Sequence, residues 1–332
     1  MKAIKFFAIT AMAAAMITSC STDDELSQSN YPSDNIIRVT AGVNNAKTRA
    51  DGQGVSAMDK PFSLTIVNKN AESTELAKKY TYVDKVFSKT SGDWACSETL
   101  LWQNSTQTVD IVAFAPAQTG KFSGVCAEGS IQPITYSVAD DQSTSSVNND
   151  LLYYYAPGFV PKDKLENQKL NIQFNHAFCM IDINVTLGTE FNKPKVLDDS
   201  PIIKVTLGGT KIAANVDVKN ATSIVTASGE ATNITTTQGT FTPAPDKNAE
   251  KNAISRFSCI AIPQTVAAGT FKVSLMTAGK LYEWTSAEPV ELKSGYRYTL
   301  ELTMGNNVVL LKDDKITASP WTEGTGGTLE TD

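Results

Sequence analysis

Short alternations of apolar and polar residues, broken by turn clusters, constrain this chain more than any other feature. Residues 36–43 read IIRVTAGV. Ile37, Val39, Ala41 and Val43 point one way, and Arg38 and Thr40 the other, which is the period of two of a half-buried strand. Strand-like runs recur at residues 62–67, 81–87, 108–115, 129–138 and 150–156. A second series covers 202–207, 211–218, 257–262, 270–277, 281–285 and 296–304, and 308–311 and 315–318 close the chain. Turn clusters such as 88–93 and 116–120 separate them. Helical periodicity is scarce, with one or two turns expected at 72–79. Charged residues make up only 19%, while Ser, Thr, Asn and Gly abound, as suits strands with polar outer faces. The expected class is all-β, built as β-sandwiches.

The polar segment 157–168 carries two prolines and divides the chain. This predicts one β-sandwich over residues 36–168 and a second over 169–332. Residues 170–187 open the second series with a slip of parity. Ile172, Phe174 and Phe178 are even, whereas Ile181, Ile183 and Val185 are odd. One extra residue near 176–179, as in a β-bulge, reconciles them. The Thr/Ser/Gly/Asn-rich stretch 220–242 reads as a meander between strands.

The first residues carry an address. Lys2 and Lys5 precede an apolar run, residues 6–17, of signal-peptide length and too short to span a bilayer comfortably. Ile17-Thr18-Ser19-Cys20 resembles a bacterial lipobox. It predicts a signal peptide over 1–19 and acylation of Cys20, with the chains held in outer-membrane lipid at about 0.8 kcal/mol per buried CH2. Residues 20–35 then read as a flexible acidic tether. Its cluster Ser21-Thr22-Asp23-Asp24-Glu25 is similar to the acidic surface-export signal of Bacteroidetes lipoproteins.

Several function classes find no support. The net charge is −6 and no basic stripe occurs, so no nucleic-acid partner is expected. With Cys20 in lipid, Cys96, Cys126, Cys179 and Cys259 remain. Pairing within each half is the natural guess, but buried free thiols account equally well for Cys179 and Cys259. There is no CxxC and His176 is the only histidine, so neither a metal site nor a cofactor is expected. A nucleophilic site would have to use His176, which lies in an apolar strand run and reads as a core or bulge histidine. The carboxylate pairs Asp140–Asp141, Asp198–Asp199 and Asp313–Asp314 sit in turn-like contexts, and adjacent residues face apart on a strand. No enzyme is expected. Trp94, Trp102, Trp284 and Trp321, with Tyr153, Tyr154 and Tyr155, could form a sugar-stacking platform, so the alternative is a surface glycan-binding lipoprotein.

Five local patterns, in order along the chain, resemble the Bacteroidales fimbrillin superfamily. They are the lipobox Cys20, the loop Lys47-Thr48-Arg49-Ala50, and Asp150-Leu151-Leu152-Tyr153, then Phe174-x-His176, and Lys293-Ser294-Gly295-Tyr296-Arg297-Tyr298 leading to Ile316 and Trp321. The resemblance implies two tandem transthyretin-like β-sandwich domains in a stalk, tip or anchor lipoprotein of a surface fimbria. It implies that an Arg-specific protease cuts between Arg49 and Ala50 and releases the strand of residues 36–43. An extended strand from another fimbrial subunit then fills the vacated groove by donor-strand exchange, with Ile37, Val39, Ala41 and Val43 as the pocket-filling set. A host or bacterial surface ligand is a further expected partner. The segment 308–318 is the candidate donor strand, or else the last buried strand of the second sandwich.

Overall fold

The computed structural model describes residues 30–44, 55–68, 79–117, 131–145, 149–192, 196–246, 252–305, 307–312 and 315–321. The expected signal peptide, Cys20, most of the tether, the Arg49–Ala50 loop, Cys126 and most of the helical pattern at 72–79 lie outside these residues.

Strands dominate, as the alternation predicts. The first half carries β1 (Val39–Asn44), β2 (Val55–Ala57), β3 (Phe62–Asn68), β4 (Tyr82–Thr90), β5 (Asp93–Cys96), β6 (Val109–Ala115), β7 (Ile134–Ser137) and β8 (Leu152–Phe159). A short helix, Pro161–Lys164, precedes β9 (Leu170–His176) and β10 (Cys179–Leu187). Then follow β11 (Ile202–Val216), β12 (Val225–Thr235), β13 (Thr237–Gln238), β14 (Ile254–Ala261), β15 (Gln264–Val266) and β16 (Lys272–Thr277). The last described strands are β17 (Leu281–Thr285), β18 (Val290–Leu292), β19 (Tyr296–Met304), β20 (Val309–Leu311) and β21 (Thr317–Pro320).

One sheet of eight strands runs β2-β1-β9-β8-β6-β3-β4-β5. A six-stranded sheet runs β13-β14-β10-β19-β20, with β21 also on β19, and a five-stranded sheet runs β12-β11-β16-β17, with β7 on β11. Two apolar cores result. The first gathers Ile37, Val39, Val43, Phe62, Leu64, Ile111 and Trp102 with Leu170, Ile172 and Phe174. The second is formed by the inward residues of β10, β11, β14, β16 and β19, among them Ile181, Ile183, Leu207, Leu275 and Leu300, with Phe271 just before β16.

The division between the cores does not follow residue 168. β9 lies beyond residue 168, yet it pairs with β1 and β8 and its apolar face belongs to the first core. Conversely, Ile131, Ile134, Tyr136 and Val138 lie before residue 168 but are buried in the second core, and β7 pairs with β11. Gln142 anchors that excursion. Its amide accepts from Ile260 N–H at 2.8 Å and donates to Ile260 C=O at 2.9 Å.

Local readings change for physical reasons. The parity slip near His176 is not a bulge in one strand. β9 ends at His176, a bend carries Ala177 and Phe178, and β10 begins at Cys179 in another sheet. Leu170, Ile172 and Phe174 of β9 face the first core, while Phe178 and the odd residues of β10 face the second, so one strand's parity need not match the other's. The turn expected over 88–93 contracts to Ser91 and Gly92, with φ of 52° and 98°, the left-handed pair of a tight hairpin. Residues 157–168 are not all loop, because β8 continues to Phe159. The runs 202–207 and 211–218 merge into β11, which shifts register near Gly208 and Gly209. Gly209 has φ 86°, and a Cβ there would lie 2.1 Å from Thr270 C=O, so only glycine fits. Residues 225–235 of the expected meander at 220–242 are the strand β12, whose threonines suit a half-exposed ladder.

Candidate strand-exchange site

β1 is an inserted strand. It pairs in parallel with β9, from Val39↔Leu170 to Val43↔Phe174, and antiparallel with β2 on its other side. Its approach is tied down as well. Ile37 N–H donates to Leu100 C=O at 2.9 Å, and Leu170 N–H donates to Arg38 C=O at 2.8 Å. Trp102 N–H reaches Asn35 C=O at 2.8 Å. The Asp34 carboxylate pairs with the Arg38 guanidinium at 2.6 Å, and this bond chiefly holds the Asp34 pKa down at about 2.

The expected pocket-filling residues share the inward face. Ile37, Val39 and Val43 are buried and Ala41 is half-buried against the same core. At about 1.5–3 kcal/mol per large buried apolar side chain, the three larger residues supply most of the apolar attachment of this segment. Removing β1 would uncover backbone donors and acceptors on β9 and β2 together with a strip of core. Residues 45–54, which include Arg49 and Ala50, connect β1 to β2 and lie outside the described residues.

The outward face of β1 meets a row of amides on β9. Thr40 donates its hydroxyl to Asn171 Oδ1 at 3.3 Å, and Asn44 donates Nδ2 to Asn175 Oδ1 at 2.9 Å. Asn171 Nδ2 in turn donates to Glu166 Oε2 at 2.9 Å.

Three other motifs of the sequence converge where β9 ends. His176 Nδ1 hydrogen-bonds Asp150 Oδ2 at 2.7 Å, both side chains being buried. The His176 ring stacks on Trp321 with centroids 3.7 Å apart and planes at 13°. Trp321 N–H donates to Gly295 C=O at 2.7 Å, and Gly295 N–H donates to Phe178 C=O at 2.9 Å. Gly295 holds φ at 71°, a turn conformation that glycine adopts without steric cost. Asp150, His176, Gly295 and Trp321 thus close the junction between the two cores. Sequence reasoning placed His176 in a core but found neither its carboxylate nor its aromatic partner, since all four are remote in the chain.

The C-terminal strands cover the free edge of β19. β20 pairs with Leu302–Met304 and β21 with Tyr296–Thr299. All four residues of β21 are exposed, and only Trp321 beyond them is buried. β21 is therefore held by its ladder and by one aromatic anchor.

The remaining candidates pack internally. Trp102 stacks on Phe159 at 5.9 Å, Trp94 meets Phe62 edge-on at 4.9 Å, and Trp284 meets Phe271 edge-on at 6.4 Å. The tryptophans are thus distributed among separate packing sites and do not make one platform. Cys179 and Cys259 are buried free thiols, and burial pushes both pKa values up. Among the described residues no group of His, Cys, Asp and Glu is placed to hold a metal ion.

These features define an all-β protein organised by an inserted N-terminal strand and an anchored C-terminal one. A family model described as fimbrillin-like matches residues 48–321, and the chain belongs to the fimbrillin-like family. It is a structural, non-enzymatic fimbrial subunit of the cell surface. No curated protein matches it. Among solved structures, a candidate cell adhesion protein from Bacteroides ovatus is 17% identical with a TM-score of 0.57, covering 87% of this chain and 99% of that one. One from Bacteroides uniformis is 16% identical with a TM-score of 0.57, covering 87% and 100%. A fimbrial protein from Bacteroides vulgatus is 15% identical with a TM-score of 0.50, covering 87% and 99%. At these identities the likeness is one of fold.

Proposed function

We propose that this subunit is exported as a lipoprotein, anchored in the outer membrane through acylated Cys20, and assembled into a fimbria by strand exchange. An Arg-specific protease cuts after Arg49, before Ala50, and β1 leaves with the segment that precedes it. A strand from another fimbrial subunit then occupies the groove between β9 and β2 and restores the ladder. The observation that carries this reading is the position of β1, an interior strand whose inward face is apolar and which directly precedes residues 45–54. The two cores support a division into tandem sandwiches in which β9 goes with the first and residues 131–145 with the second.

The anchored Trp321 supports a receiving role, as in a tip or accessory subunit, over one that donates its own C-terminal segment. In that role the subunit would carry the contact with a host or bacterial surface ligand.

The test is Arg-specific proteolysis of the purified mature chain, followed by intact mass spectrometry and size exclusion. A single cut after Arg49 and stable uptake of a strand peptide or partner subunit is the expected result. Oligomers of the cut chain alone would assign a stalk role instead. Resistance at Arg49, or a cut chain indifferent to every strand offered, would overturn the strand-exchange reading.

A further inference from the structure

The amide row on β9 has one incomplete rung. Thr40 faces Asn171, and Asn44 bonds Asn175. Between them Gly42 stands opposite Gln173 in the parallel register and offers no side chain. Gln173 spends its Nε2 on Asn171 Oδ1, and its Oε1 is buried with no partner among the described residues. A buried acceptor without a donor is costly to leave so.

We propose that Asn171, Gln173 and Asn175 form a register-setting rail for the strand seated beside β9. Gln173 is its specificity-determining residue, favouring an incoming strand with serine or threonine where β1 has Gly42. The inference rests on the strand-exchange reading of the same groove. Apolar alternation fixes the parity of a seated strand, because a slip of one residue turns every side chain over. A slip of two residues preserves parity, so the apolar face alone discriminates weakly against it. The rail does discriminate. After such a slip Thr40 and Asn44 leave their amide partners on Asn171 and Asn175. With a hydroxyl at position 42 all three rungs are filled in the described register, whereas a slip of two in either direction leaves one of them empty. The chosen partner is therefore an extended segment with aliphatic residues inward and small hydroxyl or amide residues outward.

The test uses the Arg-trimmed full chain and nine-residue peptides with the sequence of residues 36–44, carrying Gly, Ser or Ala at position 42. Ser and Ala both add a Cβ, so their difference isolates the hydroxyl. The expected result is that the Ser peptide binds about fivefold more tightly than the Ala peptide, and that Gln173→Met abolishes the difference. Equal affinities, or a preference that survives Gln173→Met, would overturn the proposal. If no peptide binds, strand exchange fails as the reading of this groove, and the uncut chain still decides the rail. There Gly42→Ser should melt about 2 °C above Gly42→Ala, with the gap closed by Gln173→Met. Identical melting of the two variants would refute the rail whatever the fate of strand exchange.

Discussion

The ring of Trp321 lies flat against that of His176, centroids 3.7 Å apart, and this contact joins the segment after β21 to the end of β9. His176 is fixed from its other side by Asp150, so the tryptophan closes a buried polar pair from solvent. Trp321→Ala should lower unfolding stability by about 3–5 kcal/mol in a urea titration, and Trp321→Phe by clearly less. Hydrogen exchange should accelerate at β21 first, because the strand has no buried side chain of its own.

Val39 and Val43 insert into the first core while Thr40 between them faces outward. Val39→Asn or Val43→Asn should each cost about 2–4 kcal/mol, since an amide would be buried without a designed partner. Thr40→Val should change stability by less than about 1 kcal/mol, the net value of one exposed hydrogen bond. Equilibrium denaturation of the uncut chain would compare them. Similar losses at all three positions would mean that β1 is not seated in the described register.

Burial pushes the Tyr298 phenol up to about 12, against a smaller lowering by the hydrogen bond that its oxygen accepts from Lys293 N–H. Below pH of about 10 the group is neutral in folded and unfolded chains alike. Between about 10 and 12 the unfolded chain releases the proton and the folded chain keeps it, so stability falls as pH rises. The slope of stability against pH in that window should be shallower in Tyr298→Phe, measured by denaturation at a series of alkaline pH values.

The buried thiols should be inert in the native protein. Cys179 donates to Ala261 C=O at 3.2 Å, and desolvation raises the pKa of both Cys179 and Cys259. Iodoacetamide labelling with peptide mapping should modify half-buried Cys96 under native conditions, and Cys179 and Cys259 only after denaturation.

Most strands were legible in the sequence because their environments are one-sided. Residues 62–67, 108–115 and 296–304 carry apolar or alternating runs, and β3, β6 and β19 fall on them. The inward face of β1 was legible for the same reason. β12 was hidden because its residues are largely polar and half-exposed, and composition cannot separate such a strand from a loop. The exchange of elements between cores was hidden too. Alternation at 170–176 says that one face is buried but not against what. The amide row on β9 and the contact of Trp321 with His176 depend on register and long-range pairing. Neither is encoded in local periodicity.

The parallel seat of β1 beside β9 also bears on how a fimbria would carry tension. A pull along the axis of a strand held there strains the whole row of ladder bonds at once, whereas a pull across the sheet would open them singly. β9 then passes through Ala177 and Phe178 directly into β10, an interior strand of the second sheet. Tension received at the groove would cross from one core to the other along covalent backbone, and the packed surfaces at the junction would be spared most of it.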